Sequence, residues 1–162
     1  MKHSRLFLSS LVVLPLLLSG CEKKTTAAPD AAKAGSPAAA TAAAPTGPLM
    51  TVGFELQAPA TVGALQFDVQ YAGEGRFVGD NDAVACETKI EGALSSYNHI
   101  VTDKNLRAAF IAVKGFSGPI VVSECKFEGT AKAEDFTVVV KDASTPDLAE
   151  ITPTPAVKVL LN

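Results

Sequence analysis

The stretch LQFDVQY, Leu65–Tyr71, alternates apolar and polar side chains without a break. Neighbouring side chains of a β-strand point to opposite faces, so strict alternation is typical of a strand with one face in a core and one in solvent. The apolar face would consist of Leu65, Phe67, Val69 and Tyr71, and the outward face of Gln66, Asp68 and Gln70. The stretch therefore predicts a half-buried strand.

The same period of two recurs from residue 49 to residue 162. Further strands are predicted in LMTVGFEL, NLRAAFIAVKG, PIVVSECKFEG, DFTVVVKD and AVKVLL, and weaker ones in AVACETKI and SSYNHIV. NLRAAFIAVKG carries apolar side chains on both faces, so we expect it to be covered on both sides. Turn residues such as those of Gly79–Asp82 separate the strands. The pattern predicts an all-β fold, an antiparallel jelly-roll sandwich of eight or nine strands.

Composition divides the chain of 162 residues into three parts. Residues 1–20 have the order of a signal peptide, and residues 21–48 follow as an Ala- and Pro-rich segment. Residues 22–48 contain 11 Ala and 4 Pro but no aromatic residue, so prolines interrupt any helix and we expect a disordered tether. Residues 49–162 have the length of one domain. Without Lys2 and Arg5 the chain has 12 basic and 17 acidic residues, so nucleic acid is not an expected partner.

The first segment also indicates the compartment. Lys2 and Arg5 precede an apolar run, Leu6–Leu18, which is shorter than the ~20 residues of a membrane span. The run ends in Leu-Ser-Gly-Cys, which resembles the lipobox of bacterial lipoproteins. The resemblance implies that the signal is removed before Cys21 and that Cys21 is lipidated, so a lipid anchor would hold the chain to a membrane of the bacterial envelope. Glu22, directly after the cysteine, resembles the residue that directs lipoproteins of Gram-negative hosts to the outer membrane. The alternative to the lipobox is an ordinary signal peptide whose cleavage site happens to lie near Cys21.

The remaining cysteines are Cys86 and Cys125. In an oxidising extracytoplasmic compartment an even number of cysteines favours a disulfide. Half of a zinc site is the alternative, but two cysteines 39 positions apart without a CxxC pair are poor zinc ligands. We therefore expect one disulfide.

Two longer stretches, VGALQFDVQYAGEGRFVGD (residues 62–80) and SSYNHIVTDKNLRAAFIAVKGFSGPIVVSECKFEGTA (residues 95–131), carry a family resemblance. The first has a strand of the form G-x-x-x-F-x-x-x-Y, and the second has an L-R-x-A-F strand and a G-x-S-G-P loop. In this order they resemble a cohesin domain of the cellulosome type. The resemblance implies a jelly-roll sandwich related to carbohydrate-binding modules, with a role in holding a partner protein or polysaccharide and no chemistry of its own.

Enzymatic motifs are not convincing in this sequence. His99 is the only histidine after the signal segment, and no nucleophile or carboxylate is marked as its partner. Gly115–Gly118 is followed by Pro119, which blocks the helix that a nucleophile elbow needs. Ser123 and Lys126 match S-x-x-K, but a strand turns positions three apart to opposite faces. We therefore expect no catalysis and no cofactor, with an unrecognised hydrolase as a remote alternative.

Binding residues follow from the predicted outward surfaces. Candidates for the ligand-binding surface are Gln66, Asp68, Gln70 and Tyr97, and a weak calcium candidate is the loop of Asp80, Asn81 and Asp82, which also reads as a polar turn. Charge reversal at Asp68 or in that loop is expected to weaken binding more than the fold. The leading function is a protein-binding envelope lipoprotein for adhesion or scaffolding, and a carbohydrate-binding module is the alternative.

Overall fold

Nearly all regular structure is β-strand in residues 47–162, the part of the chain that the computed structural model describes. The signal segment, Cys21 and the tether up to residue 46 lie outside that part. The strands are β1 (Leu49–Gln57), β2 (Val62–Tyr71), β3 (Arg76–Phe77), β4 (Cys86–Thr88), β5 (Leu94–Ile100), β6 (Asn105–Phe116), β7 (Ile120–Glu128), β8 (Phe136–Ser144) and β9 (Ala156–Leu161). Two single 3₁₀ turns, Val101–Asp103 and Ala133–Asp135, precede β6 and β8.

The strands form two antiparallel sheets. The four-stranded sheet has the order β5-β6-β2-β8, and the five-stranded sheet has the order β3-β7-β1-β9, with β4 also paired to β7. This arrangement confirms the predicted all-β antiparallel class and is consistent with a β-sandwich. Both weakly marked segments contain strands, β4 and β5.

The core lies between the inner faces of the two sheets. Phe54 of β1 meets Phe67 of β2 with ring centroids 5.4 Å apart, and Phe67 stacks on Phe110 of β6 at 5.9 Å. All three rings are buried, and burial of such a side chain contributes about 1.5–3 kcal/mol. Tyr71 is also buried, as the alternation in LQFDVQY predicts.

The predicted disulfide joins Cys86 and Cys125, which are direct cross-strand partners of β4 and β7. Their Cα atoms are 4.0 Å apart. Cys125 is buried on the inner face together with Phe127, whereas Cys86 is only partly buried. The bond therefore attaches β4, which has only three residues, to the edge of the five-stranded sheet.

Candidate functional site

The outer face of the four-stranded sheet carries most of the exposed large apolar side chains of residues 47–162. Register places Ile111 of β6 beside Leu94 of β5 on one side and Ala64 of β2 on the other. Leu94 is 76% exposed, Ile111 58% and Val113 90%. Five of the seven exposed large apolar residues lie on strands of this sheet: Leu94, Ile100, Ile111, Val113 and Val139. We call this surface the apolar outer face.

The expectation that NLRAAFIAVKG is covered on both sides is wrong. Its inner face, with Leu106 and Phe110, is buried, but the face with Ile111 and Val113 is open to solvent. The segment forms β6, which has neighbours on both edges and packs against the other sheet on one side only. An apolar pattern on both faces predicts that both faces are covered, but it does not say whether the cover comes from the same chain.

The outer face of the five-stranded sheet is different because charged side chains occupy it. The Nζ of Lys89 lies 3.0 Å from Glu87 and 2.9 Å from Glu124, next to the disulfide. Glu55 of β1 is the register partner of Lys158 of β9. Such a face is suited to solvent, and the contrast makes the apolar outer face the stronger candidate for an interface.

A charged cluster lies at the centre of the apolar outer face. Arg107 of β6 donates to both carboxylate oxygens of Asp68, at 2.9 and 3.3 Å, and the Nζ of Lys141 lies 3.8 Å away. The hydrogen bond from Arg107 holds the pKa of Asp68 below its usual value, because it stabilises the ionised carboxylate. The side chain of Asp68 is only 13% exposed. Charge reversal at Asp68 would place three cations together, so it would act on the fold as well as on binding.

Gln66 and Gln70 lie beside Asp68 on the same strand face, where the alternation places them. Gln66 is the register partner of Ala109, and Gln70 of Asn105 and Thr137. Gln70 is exposed, whereas Gln66 is partly buried. Both amides are therefore on the outer face, among mainly polar register partners.

Tyr97 is not part of this surface. Its ring packs edge-on against Phe110 with centroids 5.8 Å apart, and its hydroxyl is buried. Burial raises the pKa of the Tyr97 hydroxyl. Odd positions of β5 point inward, so the ring of Tyr97 packs toward the core and is only partly exposed, whereas the other candidates for the ligand-binding surface lie on the outer face.

The loop of Asp80, Asn81 and Asp82 forms a turn that is joined to β5. Asp80 Oδ1 accepts a hydrogen bond from the Asn81 N–H at 2.8 Å, and Asn81 has a left-handed φ of 50°. The Asn81 backbone pairs with that of His99 through two hydrogen bonds of 2.9 and 2.8 Å. Between residues 47 and 162 no three His, Cys, Asp or Glu side chains are grouped to hold a metal ion. The hydrogen bonds of Asn81 give the loop a structural role at the edge of β5.

His99 is fully buried at the junction of this loop and the core. Its Nδ1 lies 2.8 Å from the carbonyl oxygen of Gly79, and its Nε2 lies 2.9 Å from the hydroxyl of Tyr71. A carbonyl accepts only, so Nδ1 carries the proton and Nε2 accepts from Tyr71. Burial lowers the pKa of His99. Both ring nitrogens are used within the fold, and Ser117, the serine of the G-x-S-G loop, is instead paired with Thr61 at 3.1 Å.

Sequence reasoning missed the apolar members of the outer face and the cations around Asp68. Arg107 lies in NLRAAFIAVKG, and the strand pattern of that segment gives no sign that Arg107 pairs with Asp68. The signal was the second apolar face of that segment, combined with the polar partner strand LQFDVQY. Neighbouring strands share one sheet face, so once β6 is known to lie beside the half-exposed β2, the second apolar face of β6 must be open to solvent as well.

Comparison with models of protein families, with curated proteins and with solved structures finds no match to this chain. In the range 47–162 no helix has the length and hydropathy of a membrane span.

Proposed function

We propose that this chain is a non-catalytic lipoprotein of the bacterial envelope that binds an extracytoplasmic protein through the apolar outer face. The observation that carries the proposal is the unequal distribution of exposed apolar side chains between the two sheets. Leu94, Ile111 and Val113 lie together on one sheet, whereas charged side chains such as Lys89, Glu87 and Glu124 occupy the outer face of the other. Exposed contiguous apolar surface with a polar cluster is typical of protein interaction sites.

Attachment to the envelope is proposed from the sequence alone. The Leu-Ser-Gly-Cys end of the apolar run supports lipidation of Cys21, and Glu22 supports the outer membrane in a Gram-negative host. We further propose that the sandwich is a jelly roll of the cohesin-like form. The two antiparallel sheets are compatible with this form, and the resemblance of residues 62–80 and 95–131 supports it.

A carbohydrate-binding module is the second candidate, and it has less support. Sugar platforms stack pyranose rings on exposed aromatic faces. Tyr71 and all phenylalanines of residues 47–162 are buried, and Tyr97 has its hydroxyl inside. The sequence contains no tryptophan. A glycan would therefore have to bind through hydrogen bonds at Gln66, Gln70 and the charged cluster alone.

The histidine of the described strands and loops is not placed for catalysis. His99 is buried and hydrogen-bonded through both ring nitrogens, so it has no free nitrogen for a substrate. A hydrolase function would need a different base. We therefore keep the non-catalytic proposal.

Site-specific photo-crosslinking in intact cells tests the proposal. A photoreactive amino acid in place of Ile111 should give one saturable crosslinked product with an envelope protein. The same amino acid in place of Lys158, on the charged face of the other sheet, is the matched control and should give little product. Equal products from both positions, or binding in a glycan array with no protein product, would refute the proposal.

Substitutions then measure the contribution of the face. Leu94→Ser and Ile111→Ser should each weaken binding about tenfold or more, because a buried interface side chain contributes ~1–2 kcal/mol or more. Leu49→Ser, at the start of β1 in the other sheet, removes a comparably exposed leucine and should leave the affinity nearly unchanged.

A further inference from the structure

The edge of β5 has backbone groups that no part of residues 47–162 engages. β5 pairs with β6 from Leu94 to Ile100, and within residues 47–162 its other edge forms backbone hydrogen bonds only with Asn81, which pairs with His99. In an antiparallel strand, alternate residues direct their N–H and C=O groups to the same side. Ser95 and Tyr97 therefore direct theirs away from β6, as His99 does, and present two N–H and two C=O groups at the open edge.

This edge lacks the protection that the other edge strands have. Natural sheets block unwanted pairing with charges, prolines, bulges or very short edge strands. β3 and β4 have two and three residues, β9 carries Lys158, and β8 carries Lys141 and Asp142 with a register shift. β5 has seven residues, an unbroken register and no Asp, Glu, Lys, Arg or Pro. Its first three residues, Leu94–Ser96, are exposed.

We infer that this edge, at Ser95 and Tyr97, binds an extended segment of another protein, which adds to the four-stranded sheet as a further strand. The inference rests on the proposed protein-binding function and names the form of the partner. Unpaired N–H and C=O groups in strand geometry are complementary to another extended backbone and to little else. The added strand would continue the apolar outer face beyond Leu94.

A second copy of this chain fits the edge less well. In a two-fold antiparallel pairing centred on Ser96, Ser95 would pair with Tyr97 of the other copy. His99 would then lie opposite Ala93 of that copy, where Asn81 already pairs with His99. A free segment can end or turn at Asn81, whereas the continuous chain of a second copy would collide with it. The described residues also carry 9 basic and 15 acidic side chains, a net charge of -6 that opposes self-association.

Side chains of the added strand would alternate between two surroundings. Those on the outer side would lie beside Leu94 and Ser96, so an apolar residue opposite Leu94 and a small one opposite Ser96 are favoured. Because Asn81 closes the edge at His99, only about four backbone hydrogen bonds can form, two at each of Ser95 and Tyr97. The recognised segment is therefore short, and it adds to contacts that the partner makes on the apolar outer face.

The first experiment uses a capped synthetic peptide, acetyl-Lys-Thr-Val-Thr-Val-Thr-Lys-amide, titrated into the full chain in detergent. Amide resonances of Ser95 and Tyr97 should shift and their hydrogen exchange should slow. The same peptide with its three central residues N-methylated is the control and should do neither. Equal effects of both peptides, or changes centred on β8 or β9, would overturn the inference. If the chain instead self-associates and this protects the amides of Ser95 and Tyr97, the edge binds a second copy of the chain. That result would also overturn the inference.

The second experiment compares Ser95→Pro with Ser95→Ala. Proline removes one outward N–H without touching the ladder to β6, and edge strands tolerate it. Ser95→Pro should weaken binding of the peptide and of the crosslinked envelope protein about tenfold or more, corresponding to one lost hydrogen bond and a steric block. Ser95→Ala should bind like the parent, and equal melting temperatures exclude misfolding as the cause.

The two proposals then fail separately. If Ile111→Ser abolishes envelope-protein binding while Ser95→Pro binds normally, the outer face is the interface and the strand-addition inference is wrong. If neither variant changes crosslinking, the proposed function itself is wrong.

Discussion

Removal of the Cys86–Cys125 disulfide should lower the free energy of unfolding of the domain by an amount that depends on the length of the loop it closes. The bond closes a loop with a sequence separation of 39 residues. On the chain-entropy model, closure of a loop of that length removes about 13 cal/mol/K from the unfolded state, or about 4 kcal/mol at 25 °C. Domains of this size have a total stability of about 5–15 kcal/mol, so the loss would be a large fraction of it.

Urea unfolding of the oxidised chain, the reduced chain and a Cys86→Ala/Cys125→Ala variant measures the effect. With a slope of about 2 kcal/mol per M, a loss of 4 kcal/mol lowers the midpoint by about 2 M. The reduced chain is the essential control because it keeps both sulfur atoms. Cys125 is buried, so the alanine variant should lose slightly more through its small cavity. A reduced chain within about 1 kcal/mol of the oxidised one would refute the loop-closure argument.

Three other predictions concern the anchor and two titratable groups. Cys21→Ser should move the protein from the membrane fraction to the soluble fraction or leave the signal uncleaved, and unchanged fractionation would contradict lipidation. Because burial lowers the pKa of His99 in the folded chain, a falling pH protonates this histidine in the unfolded chain before it does so in the folded chain. Stability is therefore full above pH ~6.5 and falls as the pH drops below that value; urea titrations should show this slope in the parent and not in His99→Gln. Asp68→Asn should cost about 1–3 kcal/mol of unfolding free energy through loss of charged hydrogen bonds, whereas Asp142→Asn, an exposed control on the same sheet, should change it by less than about 0.5 kcal/mol.

The sequence predicted the strands well where one face is apolar and the other polar. LQFDVQY corresponds to most of β2, with Phe67 inside and Asp68 outside, because the two-residue period is a local property of the backbone. The disulfide could be predicted because only two cysteines, Cys86 and Cys125, remain once Cys21 is assigned to lipidation. In β7, however, alternation alone places Glu128 in solvent, and it is in fact buried and paired with Arg76 at 3.1 Å.

The binding surface could not be predicted to the same degree, because it depends on what covers each face. The pattern of Ile111 and Val113 is the same whether a layer of this chain or a partner lies over it. Edge positions are likewise invisible, since the sequence of β5 does not say that β6 is its only full neighbour. Tyr97 shows the same limit: its inward direction follows from the register of β5 with β6, which pairs it with Ala108.

The closed end of β5, at His99, is tied to the connection between β3 and β4, which bears on how a partner strand would bind beside it. The connection from β3 to β4 contains Gly79 and Asn81, and its end is fixed to β7 by the disulfide at Cys86. Gly79 has a φ of 94° and directs its carbonyl to His99, so the ring and the Asn81 backbone both tie β5 to this connection. The open part of the edge, Ser95–Tyr97, is already in strand geometry because β5 pairs with β6 from Leu94 to Ile100, so we expect the entropy lost on binding to come mainly from the partner segment. A preorganised edge lowers the cost of association, which is how a short row of backbone hydrogen bonds can add useful affinity to the neighbouring apolar outer face.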